Sequence, residues 1–181
     1  MFATDRTRLR AKTPDDAEAM FDLRSDPETH LLAEDEPMLP ISVASIRARL
    51  EKDLEEPNDG THWVGFAIES VADGRLVGSC SLWGIDSFNR TAHIGISMRK
   101  DVRGKGHGRD AVALLCRYGF RMRNMQKIEL ETLGNNTAMS RVAEACGFTL
   151  EGRLRQRAYD GETYQDMLVY GILRSEWEQS R

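Results

Sequence analysis

The spacing of apolar residues changes several times along the chain, and each change marks an element. Near the start, Arg8, Leu9 and Arg10 alternate polar and apolar, the two-residue period of a strand. Thr13 followed by Pro14 reads as an N-cap and a favoured first helical residue. Ala17, Met20, Phe21 and Arg24 then share the inner side of a helix. Ser42 caps a second helix, with Val43, Ile46, Leu50 and Leu54 on one face. Between the two helices, residues 27–40 are acidic and bounded by prolines, and are expected to form a loop.

The middle of the chain is β-rich. Residues 63–69, a turn at Asp73-Gly74, residues 76–85 and residues 91–98 predict an antiparallel meander. From His107 the period lengthens: Ala111, Leu114, Leu115, Tyr118 and Met122 recur at the spacing of one buried helical stripe. A strand at 128–133, a helix at 137–146, a strand at 148–154, a turn at Asp160-Gly161 and a strand at 163–172 complete the order. The fold class this predicts is α+β, a single domain over residues 1–181 built around one mixed sheet.

Composition narrows the function classes. A chain of 181 residues can bury one sizeable core and is short for two. With 40% hydrophobic and 30% charged residues it is not of the disordered type, and a net charge of −4 argues against a broad nucleic-acid-binding face. No apolar run approaches the ~20 residues that span a bilayer. The first six residues, Met1 to Arg6, lack the apolar stretch of a secretory signal. The expectation is a cytoplasmic protein with neither membrane nor nucleic acid as partner. Cys80, Cys116 and Cys146 are odd in number, far apart and in apolar surroundings; they read as buried reduced thiols, and no metal site is expected.

The strongest local chemistry is Arg103-Gly104-Lys105-Gly106-His107-Gly108, between a strand and a helix. A helix start leaves backbone N–H groups unpaired at the positive end of its dipole, which suits an anion. Alternating glycines let the backbone bend and approach a ligand with no Cβ in the way. Arg103, Lys105 and Arg109 add positive charge, so the loop fits a pyrophosphate. A Walker loop requires Ser or Thr after the Lys, where Gly106 stands, and a dinucleotide fingerprint requires a different glycine spacing. Both nucleotide readings fail.

At these residues the chain resembles the GNAT superfamily of N-acetyltransferases. That pattern is Arg or Gln, two residues, Gly, one residue, then Gly or Ala, and Arg103, Gly106 and Gly108 match it. A second match runs from Asn136-Thr137-Ala138 through Arg141-Val142 and Glu144 to Gly147-Phe148. Glu151-Gly152, and Asp160-Gly161 before Asp166, are similar to the branch of ribosomal-protein N-terminal (RimJ/RimL-like) and spermidine acetyltransferases. The resemblance implies a V-shaped split between two parallel strands, residues 91–98 and 128–133, that holds acetyl-coenzyme A (acetyl-CoA). It implies that the pantetheine arm runs along the backbone of Ile96, Ser97 and Met98, and that the amides from Gly104 to Gly108 hold the pyrophosphate. The Asn136 side chain would bond the arm near the thiol. It also implies an amine acceptor, favoured as a protein N-terminus over a polyamine or antibiotic amine, and a homodimer.

The transfer needs a neutral amine and stabilisation of the thioester oxygen, for which an amide near Ser97 or Met98 is a candidate donor. In the RimL-like branch a Glu often stands where His93 does. His93 is a candidate base, or a strand residue bonded to a neighbour. The family's Tyr is replaced by Ala143 and its alternative Ser by Met139. Ser140, one residue over and about 100° round the helix, is a candidate acid or a plain surface hydroxyl. His107 reads as a spacer or phosphate neighbour. Trp63, Trp83, Trp177 and Tyr159 could line an acceptor pocket or simply pack, and Glu34-Asp35-Glu36 could attract a cationic acceptor or face solvent. A non-catalytic acyl-CoA-binding protein, or a protein-interaction module, is the rival from another class.

Overall fold

The structure, a computed structural model, describes residues 2–33 and 37–180; the acidic run Glu34-Asp35-Glu36 lies outside the described residues. Seven strands form one sheet: β1 (Thr7–Arg10), β2 (Trp63–Ser70), β3 (Leu76–Asp86), β4 (Thr91–Met98), β5 (Lys127–Leu133), β6 (Thr149–Tyr159) and β7 (Tyr164–Leu173). Their order across the sheet is β1-β2-β3-β4-β5-β7-β6, and every pair is antiparallel except β4 with β5. The helices are α1 (Ala17–Ser25), α2 (Pro27–Ala33), α3 (Val43–Glu55), α4 (His107–Arg121), α5 (Thr137–Ala145) and α6 (Arg174–Gln179). The mixed α+β sheet read from the sequence is therefore the architecture found.

Strand alternation divides the core between the two faces of the sheet. On one face Ile68, Val77, Leu82, Ala92 and Ile94 pack with Ala111, Val112, Leu115 and Phe120 of α4. On the other, Ala67 and Leu76 pack with Ala17, Met20 and Leu23 of α1 and with Ile46 and Leu50 of α3. Fully burying one such side chain contributes ~1.5–3 kcal/mol. Two stripes end sooner than expected. Helix α4 stops at Arg121 and leaves Met122 exposed, and Leu54 is likewise exposed at the end of α3.

The expected loop at 27–40 is corrected, because Pro27 opens α2 instead of breaking a helix. The Asp26 carboxylate accepts from the Thr29 amide at 2.8 Å, and the His30 amide donates to the Asp26 carbonyl at 3.0 Å. Asp-Pro is thus an N-cap followed by a first helical residue, the arrangement recognised at Thr13-Pro14. The sequence pattern also missed α6, whose entry is held by the Glu176 carboxylate accepting from the Leu173 amide at 2.8 Å. Its Trp177 packs on Phe120, with ring centroids 5.1 Å apart. Strand β6 runs past the expected end to Tyr159, with an irregular stretch between Leu154 and Ala158.

One register defines the site. Strands β4 and β5 pair only at Thr91 with Lys127, Ala92 with Ile128 and His93 with Glu129. Beyond that rung β4 continues along β3 as far as Met98, and β5 continues along β7 as far as Leu133. The two parallel strands diverge, and the sheet opens into a V.

Candidate active site

The opening leaves one edge of β4 without a strand partner from Ile94 to Met98, so backbone donors and acceptors face a cleft instead of a ladder. The cleft has a volume of about 410 Å³. Its walls are Ile94 to Met98 on β4, Leu130 to Thr132 on β5, Asn136, Met139 and Val142 on or beside α5, and Thr29, Leu32 and Ala33 on α2. The glycine loop, with Arg103, Gly104, Gly106, His107, Gly108 and Arg109, closes one end.

The loop geometry follows from its glycines. Gly104 and Gly106 have φ of 75° and 89°, in the left-handed region that side chains disfavour. Gly106 is the N-cap of α4. The Asp110 amide donates to the Gly106 carbonyl at 3.1 Å, and the amides of His107, Gly108 and Arg109 have no helical partner, as in any first turn. The start of α4 is held against β1 by a cluster that is buried at Thr7 and His107 and open to solvent at Arg6. His107 Nδ1 lies 2.9 Å from Thr7 Oγ1, and Asp110 accepts from Thr7 Oγ1 at 3.2 Å and from Arg6 Nε at 2.9 Å. His107 is thus a buried anchor of the loop as well as a cleft wall.

The three loop cations differ. Arg103 is committed within the protein, donating to Glu28 at 2.7 Å, to Thr29 Oγ1 at 2.7 Å and to the Met98 carbonyl at 3.3 Å, so it ties α2 to β4. Lys105 donates to the Asp101 carbonyl at 2.8 Å and is not a cleft wall. Arg109 lines the cleft and has no ion-pair partner among the described residues. Asn136 caps α5, its Oδ1 accepting from the Met139 amide at 3.1 Å, and it borders the cleft. Thr132 Oγ1 is buried without a hydrogen-bond partner among the described residues. Such a hydroxyl is costly unless something polar meets it.

A second cavity, of about 1100 Å³, meets the first at the split, where both are walled by Ile94 to Ser97, Glu131 and Thr132. Trp63, Trp83 and Tyr159 line this larger cavity, whereas Trp177 belongs to the core. The two expected proton carriers border the site without lining either cavity. His93 stacks on Trp83 with centroids 4.5 Å apart, places Nε2 3.8 Å from Glu129 Oε2, and lines neither cavity. Ser140 Oγ donates back to the Asn136 carbonyl at 3.4 Å and also lines neither. Burial raises the Cys80 thiol and pushes that of Cys146 up to about 11, so neither is a ready nucleophile. Among the described residues Glu131 is the titratable one at the junction, and sequence reasoning missed it. The signal was there: Glu129 and Glu131 sit on one face of a strand whose other face is apolar.

A cleft closed at one end by the glycine loop and the start of α4 thus opens beside a second, wider cavity. Residues 6–149 match the family described as Acetyltransferase (GNAT) domain. The chain is 33% identical over 138 residues to a Bacillus subtilis protein named "Probable N-acetyltransferase YjcK", covering 76% of this chain and 72% of that one. It is 26% identical over 98 residues to the ribosomal-protein-serine acetyltransferase of Escherichia coli, covering 54% and 55%. Among solved structures, spermidine N-acetyltransferase from Vibrio cholerae in complex with CoA and spermine superposes with a TM-score of 0.82 at 23% identity, covering 97% of this chain and 99% of that one.

Proposed function

The chain belongs to the acetyltransferase (GNAT) family, and on that premise we propose that it moves an acetyl group from acetyl-CoA to the amine at a protein N-terminus. The observation that carries the proposal is the opening of β4 from β5 beside a glycine-rich helix start. Acetyl-CoA, when bound, supplies a thioester carbonyl for an amine to attack. The residues of this chain suit such a ligand. The amides of the loop from Gly104 to Gly108, with Arg109, would hold the pyrophosphate. The free edge of β4 at Ile96, Ser97 and Met98 would pair with the amides of the pantetheine arm, as a peptide adds to a sheet. Asn136 and the unpartnered Thr132 hydroxyl would meet its thiol end.

An amide on that same strand edge, near Ser97 or Met98, would stabilise the oxygen that becomes negative. Glu131, a wall of both cavities, would take the proton from the amine, directly or through water. The wider cavity, with its aromatic walls, would receive the acceptor. A cytoplasmic homodimer is part of the same proposal; it rests on resemblance, and light scattering on the purified protein tests the assembly.

The test is release of the CoA thiol in the presence of acetyl-CoA and a panel of N-terminal peptides. Thiol release that depends on a peptide, with acetylated peptide found by mass spectrometry, supports the proposal. Binding of acetyl-CoA without turnover of any amine would instead make the protein an acyl-CoA-binding module.

A further inference from the structure

The wider cavity has an unusual charge balance. Among the described residues, its charged walls are Lys12, Arg24 and Arg157 against one acid, Glu131. Several cations elsewhere find carboxylates: Arg8 and Arg10 share Glu69, Arg10 also holds Asp16, and Arg153 holds Asp166. Lys12, Arg24 and Arg157 have no carboxylate partner among the described residues. They come from three distant stretches of chain, the segment after β1, helix α1 and the irregular part of β6, and converge on one space. Lys12 lies 5.6 Å from the centre of the Trp63 ring. Burial lowers its pKa and the charge of Arg24 adds to this, while Cys80 and the carboxylates of Asp53 and Asp16 act in the opposite direction.

Three cations that converge on one cavity and form no ion pair among the described residues suit an anion. They also repel an incoming ammonium group, while a neutral amine, the form that attacks a carbonyl, is unaffected. A polyamine brings several positive charges and would enter against this field. An amine with a carboxylate beside it would enter with it. The volume, about 1100 Å³, is at the upper edge of the ~300–1,000 Å³ usual for small-molecule sites, and has room for several residues of a peptide.

We infer that the acceptor is a primary amine with a carboxylate close to it, and that Lys12, Arg24 and Arg157 hold that carboxylate. The same chemistry has two sources, an N-terminal peptide with acidic residues near its start and a free acidic amino acid. The inference rests on the acetyl-transfer proposal for its acceptor, though not for the anion site itself.

The experiment compares the amidated peptides Ser-Glu-Glu-Ala, Ser-Ala-Ala-Ala and Ser-Lys-Lys-Ala with glutamate and spermidine, under acetyl-CoA turnover. In parallel, calorimetry measures binding of the three peptides to the CoA-loaded protein. The acidic peptide should exceed the neutral one about tenfold in kcat/KM, with the basic peptide and spermidine below both. The advantage should shrink as salt rises, and fall towards one in Lys12→Gln and in Arg157→Gln. Efficient turnover of glutamate would identify the free amino acid as the source. Preference for spermidine or the basic peptide would overturn the inference and leave the transferase intact. So would an acidic preference that survives both substitutions. If no amine turns over but the acidic peptide still binds in an Arg157-dependent way, the transfer proposal fails and the anion site stands.

Discussion

His93 and Glu129 form the last rung between β4 and β5, and the strands separate directly beyond them. Their side chains approach at 3.8 Å, with the imidazole stacked on Trp83. The pair therefore marks the hinge of the V and not its interior. Glu131, two residues further along β5, is on the same strand face and reaches the junction of the two cavities.

This placement separates two candidate bases. His93→Gln should leave kcat within about threefold of the native value, since the ring lines neither cavity. Glu131→Gln should lower kcat by ~10² with little change in acetyl-CoA affinity, the usual size of a lost acid–base group. A pH profile of both variants is the check: an intact profile in Glu131→Gln, or its loss in His93→Gln, reverses the assignment.

Gly106 offers a sharper structural test. Its φ of 89° excludes most side chains, and a Cβ there would lie 2.5 Å from Arg6 Nη1. Gly104 shares the positive φ, at 75°, but has open space around it. Gly104→Ala should therefore cost about 1–2 kcal/mol of backbone strain, and Gly106→Val more. Native protein with acetyl-CoA at ~100 times its Kd should gain ~2.7 kcal/mol in thermal unfolding. Gly106→Val should show no gain, and a normal gain would separate the loop from cofactor binding.

The difference between what was legible and what was not has physical causes. The glycine loop was legible because positive φ at Gly104 and Gly106 forces a residue choice that survives in the sequence. The α4 stripe was legible because Ala111, Leu114 and Leu115 face one apolar surface. Helix α2 was not, because Pro27 and the surrounding acids read as a break; only the capping bond from Thr29 to Asp26 reveals a helix start. The cationic cavity was not, because Lys12, Arg24 and Arg157 are brought together by tertiary packing alone. Glu131 resembled the solvated half of an alternating strand until the split removed its neighbour.

The Thr132 hydroxyl separates ligand binding from stability. It is buried and unpaired among the described residues, so Thr132→Val replaces a costly polar atom with a methyl group of similar size. The variant should be as stable as the native protein or more stable by about 1 kcal/mol, while KM for acetyl-CoA rises several-fold. A stability loss with unchanged KM would mean that the hydroxyl is satisfied within the protein, and that the cofactor does not reach it.

The acid response of α2 gives the last test, because this helix walls the cleft through Thr29, Leu32 and Ala33. Partial burial pushes the Asp26 carboxyl up, but hydrogen bonds from Lys100 and Thr29 outweigh it and bring its pKa down to about 2. A carboxylate with a depressed folded pKa stabilises the native state above its unfolded value, near 3.8, and loses that contribution as pH falls through about 2. Glu28 is shifted the same way by Lys100 and Arg103. Asp26→Asn should therefore be less stable than the native protein at neutral pH, with the gap closing between pH 4 and pH 2 as the native carboxylate takes up its proton. Denaturant melts across that window measure it. Acetyl-CoA affinity at pH 7 should fall in Asp26→Asn as well, since α2 without the Asp26–Lys100 ion pair holds its cleft residues less firmly. A stability gap that persists unchanged to pH 2 would show that Asp26 acts by its shape and not by its charge.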